Sequence, residues 1–478
     1  MSMSLKFFPA FSPRAFLLAR TATFAVLAGV SVFGLATGAR AETLQEAMVS
    51  ALNAHPTVQA AMKSRDYYAE EKQEQRSGYF PELNASGSMG RIYGDNSTSR
   101  GLTVERGAGY SWLYEGSVAV RQTIWDGLET VNRVGAADAR VRSAGSNVAD
   151  VRENLGLRVV LAYLDVLRTK EAVTMITDHN KLIADYRTRI DSMVEQGAAD
   201  ESMAVQAHDI QIQLDSTQAD IEGEFAKAVA EYREVVGQVP TDPLVRPDLP
   251  SGAVLASVDE AVAMALQEHP ALRVADETKE AFARDADAEK GALYPDFSGE
   301  LSYLKKDQAD IIGGEVVDAK AVVRMDWTFS TGGAELARIR KATSRYAESQ
   351  ARRDEISRNI ERQIRTSYAE MQAAKDRLDN GRDRVGVTKD LLTTYEKQFE
   401  AAKVTLLNLL QAENNNFNAR LGVVNADYRH LAAQYAVLAH MGYLQDVMSI
   451  VSAHENAQDE ARAEAQMADQ AKSGAAHE

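Results

Sequence analysis

The sequence predicts a mainly α-helical chain that also crosses a membrane, as β-strands. Three observations predict it. The first is a duplication: Thr43–Val58 returns as Ser257–Leu272, at an offset of 214 residues. The same offset carries Tyr79–Leu83 onto Leu293–Phe297, and an offset of 205 carries Gln122–Gly127 onto Trp327–Gly332. A period this long marks a duplicated structural unit rather than a short solenoid repeat. The second observation is the spacing of proline, which is absent from Glu82 to Val239 and again after Asp296. Such stretches permit very long helices. The third is an alternation of period two in a short segment of each repeat.

The N-terminus reads as a secretory leader, residues 1–41. Lys6, Arg14 and Arg20 precede an apolar run from Thr21 to Gly38, and Ala39-Arg40-Ala41 forms an A-x-A cleavage site. The mature chain is then expected to start at Glu42. No later stretch has the roughly 18 consecutive apolar residues of a membrane helix. The first repeat covers 42–239, a Pro-rich linker 240–256, and the second repeat 257–452.

Each repeat opens with a short amphipathic helix, Leu44 to Ala54 and Val258 to Glu268. Pro56 and Pro270 then start a second helix at the tolerated N1 position. A hairpin follows, about 82–126 and about 296–330. Leu83, Ala85, Gly87 and Met89 share one face against Asn84, Ser86 and Ser88. Trp112, Gly116, Val118 and Val120 alternate with Ser117 and Arg121, and Val323 and Met325 alternate with Arg324 and Asp326. About ten residues of such alternation form the transmembrane-barrel pattern. Val118, Val120, Val323 and Met325 are therefore expected on the lipid face, with Arg121, Arg324 and Asp326 in the lumen. Trp112, Trp125 and Trp327 all lie in or beside these segments, where amphipathic aromatics anchor a membrane interface. Polar loops are expected from Gly94 to Gly109 and from Lys305 to Asp318.

Helical hairpins follow, about 128–236 and about 334–445. The run from Leu128 to Glu195 would extend roughly 100 Å at about 1.5 Å per residue. Helices of that length must pack on one another as coiled coils. The tail, residues 453–478, is acidic and too poor in apolar residues to fold alone.

Composition excludes several functions. There is no cysteine, hence no disulfide, thiolate metal site or Cys-anchored lipid. A net charge of −16 argues against nucleic acid, whose phosphates require a basic surface. No H-E-x-x-H, G-x-S-x-G or P-loop motif occurs. Gly87-Ser-Met-Gly90 lies in a strand and opens no helix. His55 and His269 are repeat-equivalent and sit beside helix starts, which suits capping. No catalytic residue, cofactor or metal is expected.

Gln398–Glu413 resembles the signature of TolC-type outer membrane efflux proteins, and Tyr428–Gly442 continues the likeness. Trp327–Arg338 resembles that family's strand-to-helix junction. The flavour is that of the type I secretion branch, since many drug-efflux relatives carry an N-terminal lipidated Cys. The resemblance implies a homotrimer in outer-membrane lipid, a 12-strand barrel with four strands per chain, and a periplasmic helical tunnel belted by the short helices. It also implies docking to a periplasmic adaptor and an inner-membrane ABC or other export transporter, with this chain as a passive exit duct. The positions matching the family's periplasmic gate are Ser202, Met203, Phe399, Ala402, Val404, Asn408 and Gln411. They depart from the usual pattern: the acidic pair is Asn408 and Gln411, and the usual turn Gly is Ala402. Small-molecule or drug efflux by the same fold is the alternative, and a fibrous coiled coil without a pore is a third possibility of another class.

Overall fold

The structure, a computed structural model, describes residues 41–94, 109–250, 252–308, 315–328, 330–401 and 403–448. The leader before Ala41, most of the Gly94–Gly109 loop, Ala402 and the tail lie outside the described residues.

In chain order the first half contains α1 (Leu44–Ala54), α2 (Pro56–Ser77), β1 (Glu82–Gly94), β2 (Gly109–Trp125), α3 (Glu129–Glu195) and α4 (Glu201–Val236). The second half contains α5 (Val258–Glu268), α6 (Pro270–Lys290), β3 (Asp296–Gln308), β4 (Glu315–Asp326), α7 (Ala334–Glu400) and α8 (Leu406–Met441). A last helical turn, α9, is Leu444–Val447.

Local chemistry explains the boundaries. Thr43 accepts the Glu46 N–H at 3.2 Å while the Glu46 carboxylate accepts the Thr43 N–H at 3.0 Å, a reciprocal capping box that starts α1. Leu44, Ala47, Met48, Ala51 and Leu52 then turn one apolar stripe inward. His55 and His269 are the N-caps of α2 and α6. Each imidazole Nδ1 accepts a backbone N–H, from Thr57 at 3.2 Å and from Ala271 at 3.1 Å. Pro56 and Pro270 are the first helical residues.

The long helices match in length: 67 residues for α3 and α7, 36 for α4 and α8. Ile176, Ile183 and Ile190 on α3 are buried, seven residues apart, as are Ala207, Leu214 and Ile221 on α4. That is the coiled-coil step, and it holds the α3–α4 hairpin together over its lower length with Leu410 and Phe417 of α8. A second apolar cluster joins α1, α3, α4, α8 and α9 around Met48, Tyr163, Tyr232, Tyr435 and Leu444. A third joins α5, α6, α7 and α8 around Ala265, Leu272, Ile364 and Val437. Gly156 permits the close approach of α1 and α9 to α3, since a Cβ there would meet Met48 at 3.2 Å and Leu444 at 3.3 Å.

The four strands form one antiparallel sheet in the order β1-β2-β3-β4. The second hairpin is longer than the alternation indicated. Lys305, Lys306 and Asp307 belong to β3 and Val316 to Asp318 belong to β4, not to a loop. The ladder continues because Lys305 pairs with Val317 in register and forms an ion pair with Glu315 at 3.2 Å. No helix among the described residues is long and apolar enough to cross a membrane.

Candidate functional site

The sheet has two chemically distinct faces. Register places Leu83 beside Val120, Val120 beside Leu301, and Leu301 beside Ala321. Val118, Val120, Val323 and Met325 therefore share one face, with Met89 and Val323 each 73% exposed. A long, exposed apolar face requires a covering medium. Arg121, Arg324 and Asp326 share the other face. There Glu300 accepts from Arg324 at 2.9 Å and pairs with Lys320 at 3.4 Å, and Ser86 meets Ser117 at 2.8 Å.

The three tryptophans sit at the two ends of the apolar face. Trp112 lies at one end beside Tyr110, whose ring is 5.2 Å from that of Tyr93. Trp125 and Trp327 lie at the other end. A bulge between Thr123 and Trp125 sets Trp125 opposite Phe297. Without that extra residue, parity would turn Trp125 to the charged face with Arg121. The bulge instead packs it against Phe297, with tilted rings 6.0 Å apart, and edge-on to Tyr294 at 5.8 Å. Trp112 and Trp125 are 13 positions apart. At about 3.3 Å per residue and a tilt of about 40°, that is roughly 33 Å along a membrane normal.

The opposite end of the chain is the pair of helix tips. Met203 and Phe399 are half-buried in the apolar tip cluster with Leu406, Leu409 and Leu410. Ser202 and Gln411 are exposed, Val404 is half-buried, and Ala402 lies outside the described residues. Asn408 has a local role that the spacing did not reveal. It is the third residue of a capping box whose N-cap is Thr405. The Asn408 side-chain oxygen accepts from the Thr405 N–H at 3.2 Å and its hydroxyl at 2.6 Å. A Thr-x-x-Asn string at a helix start is the signal that marks it.

Two buried polar groups stand above the tip. His179 of α3 stacks on Phe417 of α8 with ring centroids 4.0 Å apart, and burial pushes its imidazole down to about 4. Burial raises the carboxyl of Glu413 above its ordinary value. Among the described residues no group of three or more His, Asp or Glu could hold a metal ion.

Sequence reasoning also missed Glu42. It is buried, and its carboxylate accepts from the Tyr232 hydroxyl at 2.5 Å and the Thr241 N–H at 2.6 Å. Its carbonyl accepts from the Tyr163 hydroxyl at 2.8 Å. Glu42 thereby ties the start of the first repeat to α3, α4 and the inter-repeat linker.

Comparison with known proteins agrees with this architecture. The model of the outer membrane efflux protein family matches residues 47–237 and 261–443. The outer membrane efflux protein BepC of Brucella suis biovar 1 is 24% identical over 430 residues, covering 87% of this chain and 88% of BepC. The outer membrane protein TolC of Vibrio cholerae is 22% identical over 423 residues, covering 86% of this chain and 93% of TolC. The crystal structure of the outer membrane protein VceC from Vibrio cholerae superposes with a TM-score of 0.70 at 16% identity, covering 84% of this chain and 96% of that one. With both halves of the chain matched, the chain belongs to the outer membrane efflux protein family.

Proposed function

We propose that three copies of this chain close a twelve-strand barrel in the outer membrane and continue as a helical tunnel, a passive exit duct for proteins exported by type I secretion. The observation that carries the reading is the unclosed sheet. It has an apolar face, a charged face and unpaired outer edges on β1 and β4. Four strands cannot enclose a lumen, and closure with further copies removes both edges. The helices repeat the pattern. α2, α3, α6 and α7 pack side by side in the order of the strands, which leaves α2 and α7 as edges. Near the tips the edge helices are α4 and α7. Val205 and Ile212 of α4 and Val387 and Leu391 of α7 are exposed there, as an apolar seam without a partner among the described residues.

Within this reading Val118, Val120, Val323 and Met325 contact lipid, and the tryptophans mark its two interfaces. The gate at the tips involves Ser202, Met203, Phe399, Val404 and Gln411. It rests on apolar packing rather than ion pairs. Energy comes from an inner-membrane transporter, reached through a periplasmic adaptor. The likeness to proteins named for efflux favours a second reading, small-molecule export through the same duct.

Purified protein in planar bilayers is expected to give discrete ohmic channels. An absence of conductance from trimers would refute the duct. Crosslinking followed by co-purification separates the two cargoes: an ABC exporter supports protein secretion, and a proton-driven pump supports drug efflux. At the aperture, Asn408 and Gln411 offer amide dipoles rather than acidic rings. Block by a trivalent cation is therefore expected to be weak, and strong in Asn408→Asp with Gln411→Asp. Tight block of the wild type, unchanged in the double variant, contradicts the aperture.

A further inference from the structure

A groove between α7 and α8 has a charge pattern opposite to that of the chain. Its volume is about 380 Å³, and its walls include Arg377 and Arg384 of α7 and Arg429 of α8. Among the described residues no carboxylate stands within ion-pair distance of any of these three guanidinium groups. In a protein of net charge −16, three arginines in one groove whose lining carries no carboxylate form a distinct local field.

Helical phase explains the segregation. Arg377, Gly381 and Arg384 recur at spacings of four and three, so they share one stripe of α7. Asn418, Gly422, Asn425 and Arg429 do the same on α8. That α8 stripe carries amides and no acid from Gln411 to Arg429. The acids fall elsewhere. Asp427 is about 200° round α8 from Asn425, at about 100° per residue. There it pairs with Arg246 of the linker at 2.5 Å and faces Arg382 at 3.7 Å. The linker and short helices thus pack on one side of the α7–α8 pair, and the three arginines lie on the other.

We infer that this groove is an anion-binding track on the inner wall of the tunnel, for carboxylates of an acidic peptide segment in transit. The inner placement rests on the proposed duct, in which the short helices form an outer belt. Arg377 and Arg384 are two turns apart, about 10 Å, which suits carboxylates along an extended chain rather than one small anion. Guanidinium groups bind carboxylates in two-pronged fashion. Gly422 keeps the floor open, because a Cβ there would meet no atom within 4 Å.

The test uses the purified full-length assembly and hexaglutamate as probe. Calorimetry is expected to show saturable binding that weakens as salt rises. Arg377→Ala with Arg384→Ala is expected to weaken binding at least tenfold. Gly422→Met, which fills the groove without changing charge, is expected to do the same. Arg382→Ala, on the belt side, leaves affinity unchanged. In bilayers the peptide blocks current through wild type and Arg382→Ala but not through the groove variants. Undiminished binding in the groove variants, or equal loss in Arg382→Ala, overturns the site. Binding without block overturns its inner placement. If no channel forms at all, the duct fails and calorimetry alone decides the groove.

Discussion

The two halves of the chain agree in their lengths and differ at their ends. Both hairpins place a 67-residue helix against one of 36 residues. Chemistry at matched positions diverges. Tyr163 and its counterpart Tyr368 both donate to a backbone carbonyl at the belt. Above Tyr163 the buried pair is Glu42 with Tyr232; the matched positions in the second half are Ala256 and Val437. At the tips, Thr405 and Asn408 form a capping box, whereas Asp200 and Met203 at the same places make no side-chain cap. Helix length is the same in both halves. Local chemistry is free to specialise one half for anchoring and the other for the tip.

The largest expected effect tests whether the halves are equivalent in the membrane. Arginine at Val120 or at Val323 places a charge on the apolar face. Each costs about 2–4 kcal/mol per chain towards mid-bilayer. Both variants are expected to lose outer-membrane trimers on semi-native gels, while Ser117→Arg on the charged face keeps them. Failure of one half alone breaks the equivalence.

The belt anchor comes next. Glu42→Ala strands the Tyr232 hydroxyl and the Thr241 N–H, and is expected to cost about 3 kcal/mol. Adding Tyr232→Phe, which moves the first half towards the apolar solution of the second, recovers part of the loss. Thermal unfolding of the two single variants and the double variant measures the coupling, and strict additivity contradicts it.

A pH effect of similar or smaller size comes from a buried first-half carboxyl that the second half lacks at the matched position. Glu153 of α3 is buried, and its carboxylate accepts the Gln445 N–H at 3.3 Å near the start of α9. Its counterpart Arg358 is exposed. Burial, with Asp446 and Asp150 nearby, pushes the Glu153 carboxyl up to about 7. Between about 4.5 and 7 the folded chain holds a proton that the unfolded chain has released, so stability falls as pH rises through that window, by at most about 3 kcal/mol. Glu153→Gln is expected to flatten this part of the melting profile between pH 5 and 8.

The smallest effect sits at the strand-to-helix junctions. Leu128 adopts φ 69° where the second half has Gly333 at φ 71°. Leu128→Gly relieves that backbone strain and is expected to stabilise by up to about 1 kcal/mol, and Gly333→Leu to destabilise by a similar amount. Denaturant midpoints read both.

Much of the fold was legible because its signals are local. Prolines 56 and 270 mark helix starts, and long proline-free stretches leave only long helices. Two-residue alternation from Val118 to Val120 and from Val323 to Met325 marks faces without any knowledge of pairing. What was hidden depends on distant partners or broken periods. Glu42 reads as an ordinary residue after a leader, since Tyr232 and Thr241 lie some 190 positions away. The bulge before Trp125 reverses parity, and only the pairing with Phe297 exposes it. The Lys305–Asp307 segment looks like a loop because its charges cluster, yet the cross-strand partners extend the ladder. The tip residues were found by resemblance, which located Asn408 but not its capping bond.

Barrel closure by three copies is the central claim, and engineered cysteines test it most directly because the chain has none of its own. One cysteine replaces Ala85 on the free edge strand β1. A second is moved along Ala319, Ala321 and Val323 on the free edge strand β4. Oxidation in intact cells, followed by denaturing gels, reads the number of chains joined. At one or more registers the account predicts a ladder that stops at three chains and a closed species that resists heating. Ladders running past three, or monomers at every register, would contradict it.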